Sequence, residues 1–250
     1  MKTLQMKLAG ALCALLFFSA FSGTALAQEA HLDLAPIEPN NAASLQSGAR
    51  TFVNYCLNCH SAGLVRYNAL EQLGLTEEEI KENLMFSADK VGEMMRVTAS
   101  PADQKNWFGV TPPDLSLEAR VRGVDWIYTY LRSFYRDPAA VTGWNNKVYP
   151  NVAMPNVLWT LQGIREGKQE TVKNDEGEEH KEIVLQPPQG GQMGAAEYDR
   201  TVADLVNFMN WMAEPHALER RNLGYLVLIA LAVLVLLTYM LKAAFWVDVH

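Results

Sequence analysis

Two thiols and an imidazole stand together in Cys56-Leu57-Asn58-Cys59-His60. On a helical turn, side chains at i and i+3 lie on one face. That spacing matches the two vinyl groups along one edge of a porphyrin, and His60, next in the chain, can swing its ring beneath the iron. Cys-x-x-Cys-His is the attachment signature of c-type haem. Rival chemistries fit less well. A thioredoxin-like pair belongs in a βαβ context, and none surrounds this segment. A zinc site needs two more ligands at close spacing, whereas His31, His180, His216 and His250 are scattered. A disulfide between Cys56 and Cys59 leaves His60 without a role. One covalent haem c is therefore expected, held through Cys56 and Cys59 with His60 on the iron.

The second axial position decides what such an iron can do. Left open, it binds or activates small ligands; filled by a methionine, it is tuned for electron transfer at a raised potential. Met154 is the leading candidate. It lies in Tyr149-Pro150-Asn151-Val152-Ala153-Met154-Pro155-Asn156, where proline holds each preceding residue in extended geometry. Met193, in Gly190-Gly191-Gln192-Met193-Gly194, is the runner-up, in a more flexible setting. Met209 and Met212 read as core positions on a helix, and Met85, Met94 and Met95 as packing residues in or near a helix-like stretch.

The elements that must position these groups follow from periodicity. Leu45, Ala49, Phe52, Val53 and Cys56 recur at helical spacing, so a helix of about three turns delivers the motif and ends near His60. Thr76 with Glu79 forms a capping box opening a helix to about Phe86. Residues 98–113 read as loop, with Pro101, Gly109 and the Pro112-Pro113 pair. Asp125 to Phe134 reads as a helix. Two apolar runs, 157–161 and 183–185, flank a charged section with Asn174-Asp175-Glu176-Gly177, which suggests a hairpin or extended excursion. Ala195 to Ala213 is an amphipathic helix with Tyr198, Val202, Leu205, Phe208, Met209 and Met212 inward, stopped by Glu214-Pro215.

Both chain ends are apolar, for different reasons. Lys2 and Lys7, an apolar run from Leu8 to about Phe21, and Ala25-Leu26-Ala27 read as a secretory signal over residues 1–27, cleaved before Gln28. An uncleaved anchor is the alternative. Cys13 lies inside this segment after Leu12, not after the small residue a lipoprotein signal needs. From Leu223 to Leu241 the chain is almost wholly apolar, flanked by Arg220, Arg221 and Lys242, with Tyr225, Tyr239 and Trp246 at interfacial positions. A span needs about 20 such residues. The expected domains are an exported haem domain over 28–221, a membrane helix over 222–242 and a cytoplasmic tail over 243–250. The signal carries the orientation, because arginine and lysine are balanced across the span. Without an Arg-rich, Ser-rich transit segment, the compartment is a bacterial periplasm bounded by the inner membrane. The formal charge of −7 becomes −9 once Lys2 and Lys7 leave, which excludes a general nucleic-acid binder. Acidic clusters at Glu77–Glu79 with Glu82, and at Asp175-Glu176 with Glu178-Glu179, are solvated faces or a field that steers a basic partner.

Several segments together resemble the cytochrome c1 family, the haem subunit of ubiquinol–cytochrome c reductase. They are Tyr55 to His60, Pro112-Pro113-Asp114-Leu115-Ser116 with Arg120 following, Tyr135 before Asp137-Pro138, the Met154-Pro155 loop, and Trp211-Met212-Ala213-Glu214-Pro215 leading into the C-terminal span. They cover the chain from about residue 40 to its end, in the family's order. Cys-x-x-Cys-His is common to all c-type cytochromes; the Pro-Pro-Asp-Leu-Ser and Trp-x-x-Glu-Pro segments are far more specific. The resemblance implies a mostly α, class I cytochrome c-like domain with insertions and one C-terminal transmembrane helix. It implies His60 and Met154 as axial ligands, and Arg120 with Tyr135 near the haem propionates. The Pro112 carbonyl is the expected acceptor for His60 Nδ1, fixing the ring. The partners implied are cytochrome b, a Rieske iron–sulfur protein as donor and soluble cytochrome c as acceptor, in a dimeric complex that is the enzyme as a whole. Two alternatives stand beside this: a free membrane-anchored cytochrome feeding a terminal oxidase, and a haem enzyme or sensor with an open sixth site.

Overall fold

A computed structural model describes residues 31–173 and 179–247. The chain divides into a unit from Met1 to His31 and a unit from Leu32 to His250. The Cys-His motif and the C-terminal apolar run both belong to the second unit. The expected signal peptide and the Asn174-Asp175-Glu176-Gly177 turn lie outside the described residues.

Two crossing helices form the frame. Helix α1 (Ala42–Thr51) starts at Asn41, whose side chain accepts from the Ser44 amide, and runs into a π-helical turn, Phe52–Cys56. The Leu57 amide closes that turn on the Phe52 carbonyl at 3.0 Å. The long helix α7 (Ala195–Ala213) buries Tyr198, Val202, Leu205, Phe208, Met209 and Met212, the face expected from its periodicity. Where α1 and α7 cross, a Cβ on Gly48 would stand 2.0 Å from the Asp204 carbonyl oxygen. Only glycine lets the backbones approach this closely. Ser44 Oγ donates to Asp204 at 2.6 Å, and the Phe52 and Phe208 rings meet at 5.5 Å.

Shorter elements surround this frame. Strand β1 (Ala62–Arg66) leaves the Cys-His motif and pairs antiparallel with β2 (Met94–Met95), with a register shift between Ala62 and Arg66. A 3-10 segment, Tyr67–Leu73, leads to α2 (Glu77–Asn83), which carries the Thr76–Glu79 capping box. Helix α2 stops short of Phe86 because the Asn83 side chain takes the Glu79 carbonyl at 2.9 Å, the local bonding by which asparagine competes with helix. Met95 is fully buried on β2 rather than in a helix-like stretch.

Residues 98–113 are not all loop. Pro101–Phe108 is a helix, α3. Ser100 caps it by accepting from the Asp103 amide, Pro101 occupies the first turn, and Gly109 ends it at φ 77°. The proline and glycine read as breakers are this helix's start and stop signals.

Helix α4 (Glu118–Val121) is a single turn and α5 (Val124–Arg132) follows it. Helix α5 does not reach Phe134, because Ser133 Oγ takes the Tyr130 carbonyl and Phe134–Arg136 becomes strand β3, paired with β4 (Trp144–Asn146). Arg132 forks onto both carboxylate oxygens of Asp199 at 2.6 and 3.1 Å, tying α5 to α7. The N-terminal strap crosses α5, with the Asp33 amide on Thr129 Oγ1 at 2.8 Å and the Ala35 amide on Asp125 at 2.7 Å. Of the excursion, Val157 to Leu161 folds into a turn and the short helix α6 (Trp159–Gln162), while β5 (Gly167–Lys173) and β6 (Glu179–Leu185) form the hairpin. Helix α8 (Ala217–Phe245) reaches a mean hydropathy of 2.5 with no residue buried. Among the described residues it is the one helix long and apolar enough to cross a membrane. The architecture is the mostly helical one expected.

Candidate functional site

Cys56 and Cys59 lie at the end of the π-helical turn as free thiols. Amides of Cys59 and His60 both close on the Cys56 carbonyl, at 3.1 and 2.9 Å, so the three residues sit on one tight bend. Cys56 is buried; burial, with Cys59 beside it, pushes its thiol up to about 12. Cys59 is half-exposed, and burial raises its thiol too. The Cys59 carbonyl accepts from Gln104 Nε2 at 2.7 Å. Gln104 is buried on α3, so the unforeseen helix has a purpose: it clamps the motif from outside.

His60 is fixed by its own ring. Nδ1 lies 2.8 Å from the Pro113 carbonyl oxygen. A carbonyl only accepts, so Nδ1 carries the proton and Nε2 keeps its lone pair. Burial lowers the His60 pKa, opposed by the Pro113 hydrogen bond and by Glu118 and Asp114. The acceptor is Pro113, not Pro112. The register explains the one-residue shift: the Leu115 amide donates to the Ser61 carbonyl at 2.8 Å and the Gly63 amide to Asp114 Oδ2 at 2.7 Å. Those two bonds fix the loop against the residues after His60 and bring the second proline's carbonyl to the ring.

Met154 is half-buried against the core. Its sulfur accepts from the Tyr130 hydroxyl at 3.4 Å, and the Tyr130 ring stacks on Trp126 at 4.9 Å. Burial holds the Tyr130 phenol well above its usual range, so it remains a donor at neutral pH. The loop carrying Met154 is stiffened by asparagines as much as by prolines. Asn145 Oδ1 accepts from the Asn151 amide, and Asn146 Oδ1 from the Val148 and Tyr149 amides. Asn156 Oδ1 accepts from the Leu158 amide. Asn145, Asn146 and Asn156 are all buried. Met193 sits elsewhere, before α7, with its sulfur 3.5 Å from Thr201 Oγ1 and its amide on the Leu161 carbonyl.

Arg120 and Tyr135 are placed far apart in character. The Arg120 side chain is 65% exposed and its guanidinium donates to Glu214 at 3.1 Å. Glu214 also pairs with Arg220 of α8. Tyr135 is buried on β3, with its ring against Gly167 at the root of the hairpin.

These residues fit a covalent haem c. His60 keeps one imidazole nitrogen free, the donor that a haem iron takes. Two unpaired thiols stand on one bend beside the imidazole. The segment joining Pro113 to Tyr130 exposes Leu117 at 44% and Val121 at 72% and half-exposes Trp126, apolar surface suited to a flat macrocycle. Tyr130, Gln104, Asp114, Ser116 and the buried asparagines were not singled out as site residues by sequence. Local signals near two of them were present: the capping pattern Ser100-Pro101 with Asp103 and Gly109 around Gln104, and the Pro-Pro-Asp-Leu-Ser segment that contains Asp114 and Ser116.

Comparison with known proteins points to the same cofactor. The family model described as the cytochrome C1 family matches residues 35–180 and 191–249. The chain is 44% identical over 230 residues to a protein of Nitrosomonas europaea named ammonia monooxygenase gamma subunit, covering 89% of this chain and 91% of that one. It is 43% identical over 221 residues to cytochrome c1 of Allochromatium vinosum, covering 88% and 90%. To cytochrome c1 of Rhodospirillum rubrum it is 30% identical, covering 82% and 81%. With Cys56, Cys59 and His60 arranged as described, the chain belongs to the cytochrome c1 family, with covalent haem c as its cofactor and electron transfer within the bc1 complex as its work.

Proposed function

We propose that this chain receives single electrons from a Rieske iron–sulfur protein and delivers them to a soluble cytochrome c, beside cytochrome b in a dimeric quinol-oxidising complex. The observation that carries the reading is the His60–Pro113 hydrogen bond at 2.8 Å beside two free thiols. It leaves one imidazole nitrogen free for a metal. Held through the Cys56 and Cys59 thiols, haem c supplies a one-electron couple.

The protein's residues do the rest. His60 offers Nε2 to the iron, with Pro113 keeping the ring in one orientation and one tautomer. Met154 would supply the second ligand, with the Tyr130 hydroxyl directing its sulfur. Arg120, its swing limited by Glu214, would pair with a haem propionate, since a carboxylate at the rim needs a cationic partner. Tyr135 would support the propionate side from β3. No proton or group is transferred, so none of these residues needs a shifted acid or base.

The domain arrangement belongs to the same proposal. Residues 1–27 are removed as a signal, 28–221 face the bacterial periplasm, 222–242 span the inner membrane and 243–250 remain in the cytoplasm. The mean hydropathy of α8 and the absence of any buried residue along it support the span.

Purification in mild detergent tests the reading. Co-purification of this chain with a b-type cytochrome and a Rieske protein, and a low-spin haem c spectrum that Met154→Ala turns high-spin, are the expected results. Isolation alone, or a low-spin spectrum untouched by Met154→Ala, would overturn it.

A further inference from the structure

The strand that leaves His60 has a fault in it, and the fault is filled from another part of the chain. β1 pairs with β2 at Ala62↔Met95 and Arg66↔Met94, with the register broken between. A break of this kind strands backbone donors, and a donor left without an acceptor costs free energy. Here two of the three amides inside the break find side chains. Gly63 N–H donates to Asp114 Oδ2 at 2.7 Å and Leu64 N–H to Ser116 Oγ at 3.0 Å. The other Asp114 oxygen, Oδ1, accepts from the Ser116 amide at 2.8 Å, so one carboxylate folds its own loop and grips the strand. Ser61 completes the clip, taking the Leu115 amide at 2.8 Å on its carbonyl and the Val97 amide at 3.1 Å on its hydroxyl.

Pro113 lies immediately before this clip and has no N–H of its own to fix it. Its carbonyl meets His60 Nδ1 at 2.8 Å. We infer that Asp114, seconded by Ser116, is a positioning residue for the axial histidine: it holds the Pro113 carbonyl on His60 Nδ1 by satisfying two backbone donors of the β1 break. The inference rests on His60 being the iron ligand. Gly63 is part of the device, because a Cβ there would stand 2.9 Å from Asp114 Oδ2. An imidazole that donates its Nδ1–H to a carbonyl becomes a stronger donor to a metal through its other nitrogen. That favours the oxidised iron, so the clip lowers the reduction potential.

The test uses the full-length haem-loaded chain in detergent, with Asp114→Ala, Asp114→Asn, Ser116→Ala and His60→Ala. The readouts are the midpoint potential and the deuterium exchange of the His60 Nδ1 proton, followed by NMR in the reduced, diamagnetic state with labelled histidine. Asp114→Ala is expected to keep a low-spin spectrum and exchange that proton at least about tenfold faster. Its potential should rise by about a threefold shift of the couple, roughly 30 mV for one electron. Asp114→Asn loses the charge but keeps one acceptor oxygen, so it should lie closer to the parent. Ser116→Ala, with no charge change, should move both readouts in the same direction by less. Unchanged exchange in Asp114→Ala, an unmoved Ser116→Ala, or Asp114→Asn matching Asp114→Ala would overturn the clip and leave Asp114 a distant charge. A low-spin spectrum in His60→Ala would instead overturn the ligand assignment beneath it. If Asp114→Ala fails to fold, the other two clip variants still decide the matter.

Discussion

Gly48→Ala tests the frame that carries the haem motif. In an isolated helix the substitution is favourable, because alanine exceeds glycine by about 1 kcal/mol. Here the new Cβ would lie 2.0 Å from the Asp204 carbonyl oxygen, 2.6 Å from Phe208 Cβ and 2.7 Å from the Asp204 carbonyl carbon. The oxygen and carbon are backbone, so no rotamer change relieves the overlap and α1 must move away from α7. Overpacking of this kind costs about 1–3 kcal/mol, and a backbone clash belongs at or above the top of that range. Against the helix gain, a net loss of about 2 kcal/mol remains, which lowers the melting temperature of a domain this size by about 4–8 °C. The assay is thermal unfolding of the full-length haem-loaded chain in detergent, followed by far-ultraviolet circular dichroism and haem absorption. Gly92→Ala serves as control, since a Cβ there meets nothing within 4 Å, and it should stay within about 0.5 kcal/mol of the parent. A Gly48→Ala protein that melts at or above the parent temperature would refute the close crossing, because nothing else would then mask the helix-propensity gain.

Other outcomes follow from the site. Tyr130→Phe removes the hydroxyl 3.4 Å from Met154 Sδ; with Met154 as the proposed ligand, the sulfur would give more electron density to iron, and redox titration should show a lower potential with the low-spin state retained. In the chain lacking haem, Cys59 should be alkylated well before Cys56, because Cys56 is 9% exposed and its thiol is pushed up to about 12; timed alkylation with mass spectrometry reads the order, and equal rates would contradict the burial. Glu214 has its pKa depressed, first by its hydrogen bond with Arg220 and further by Arg120. A depressed carboxylate contributes stability above its unfolded pKa and loses it as pH falls through the folded one, so Glu214→Gln should flatten the acid limb of the stability–pH curve below the ordinary glutamate range, read by urea unfolding across pH. An unchanged acid limb would show the pair to be inert.

What could be read from the sequence was what periodicity and short motifs encode. The inward face of α7 repeats every three to four residues, and Thr76 with Glu79 announces its own helix. The Cys-His motif carries its chemistry in five consecutive residues. Contacts between distant segments leave no such trace. Nothing local says that Gln104 reaches the Cys59 carbonyl 45 residues away, or that Asp114 answers a strand break 51 residues earlier. The Pro112-for-Pro113 error has the same origin. Two adjacent prolines offer identical carbonyls, and only the pairing of Leu115 with Ser61 chooses between them. The loop assigned to 98–113 failed differently: proline and glycine end some elements and begin or cap others, and Ser100 with Asp103 was the signal that distinguished them.

The two sides of the proposed iron site are built by different means, and this makes them separable. On the histidine side the support is a clip between a loop and a broken strand, made by one carboxylate and one hydroxyl. On the methionine side it is a loop folded around the buried Asn145, Asn146 and Asn156, with Tyr130 of α5 at the sulfur. The described hydrogen bonds of the clip, among Ser61, Gly63, Leu64, Val97, Asp114, Leu115 and Ser116, include none of the methionine-side residues. Changes on either side should therefore add in their effect on potential, as independent sites do. Asp114→Asn raises it and Tyr130→Phe lowers it, so the double variant should return near the parent value while keeping both ligands. A double variant far from the sum would mean that the clip and the methionine loop communicate through the segment from Leu117 to Trp126, the stretch of chain that joins them.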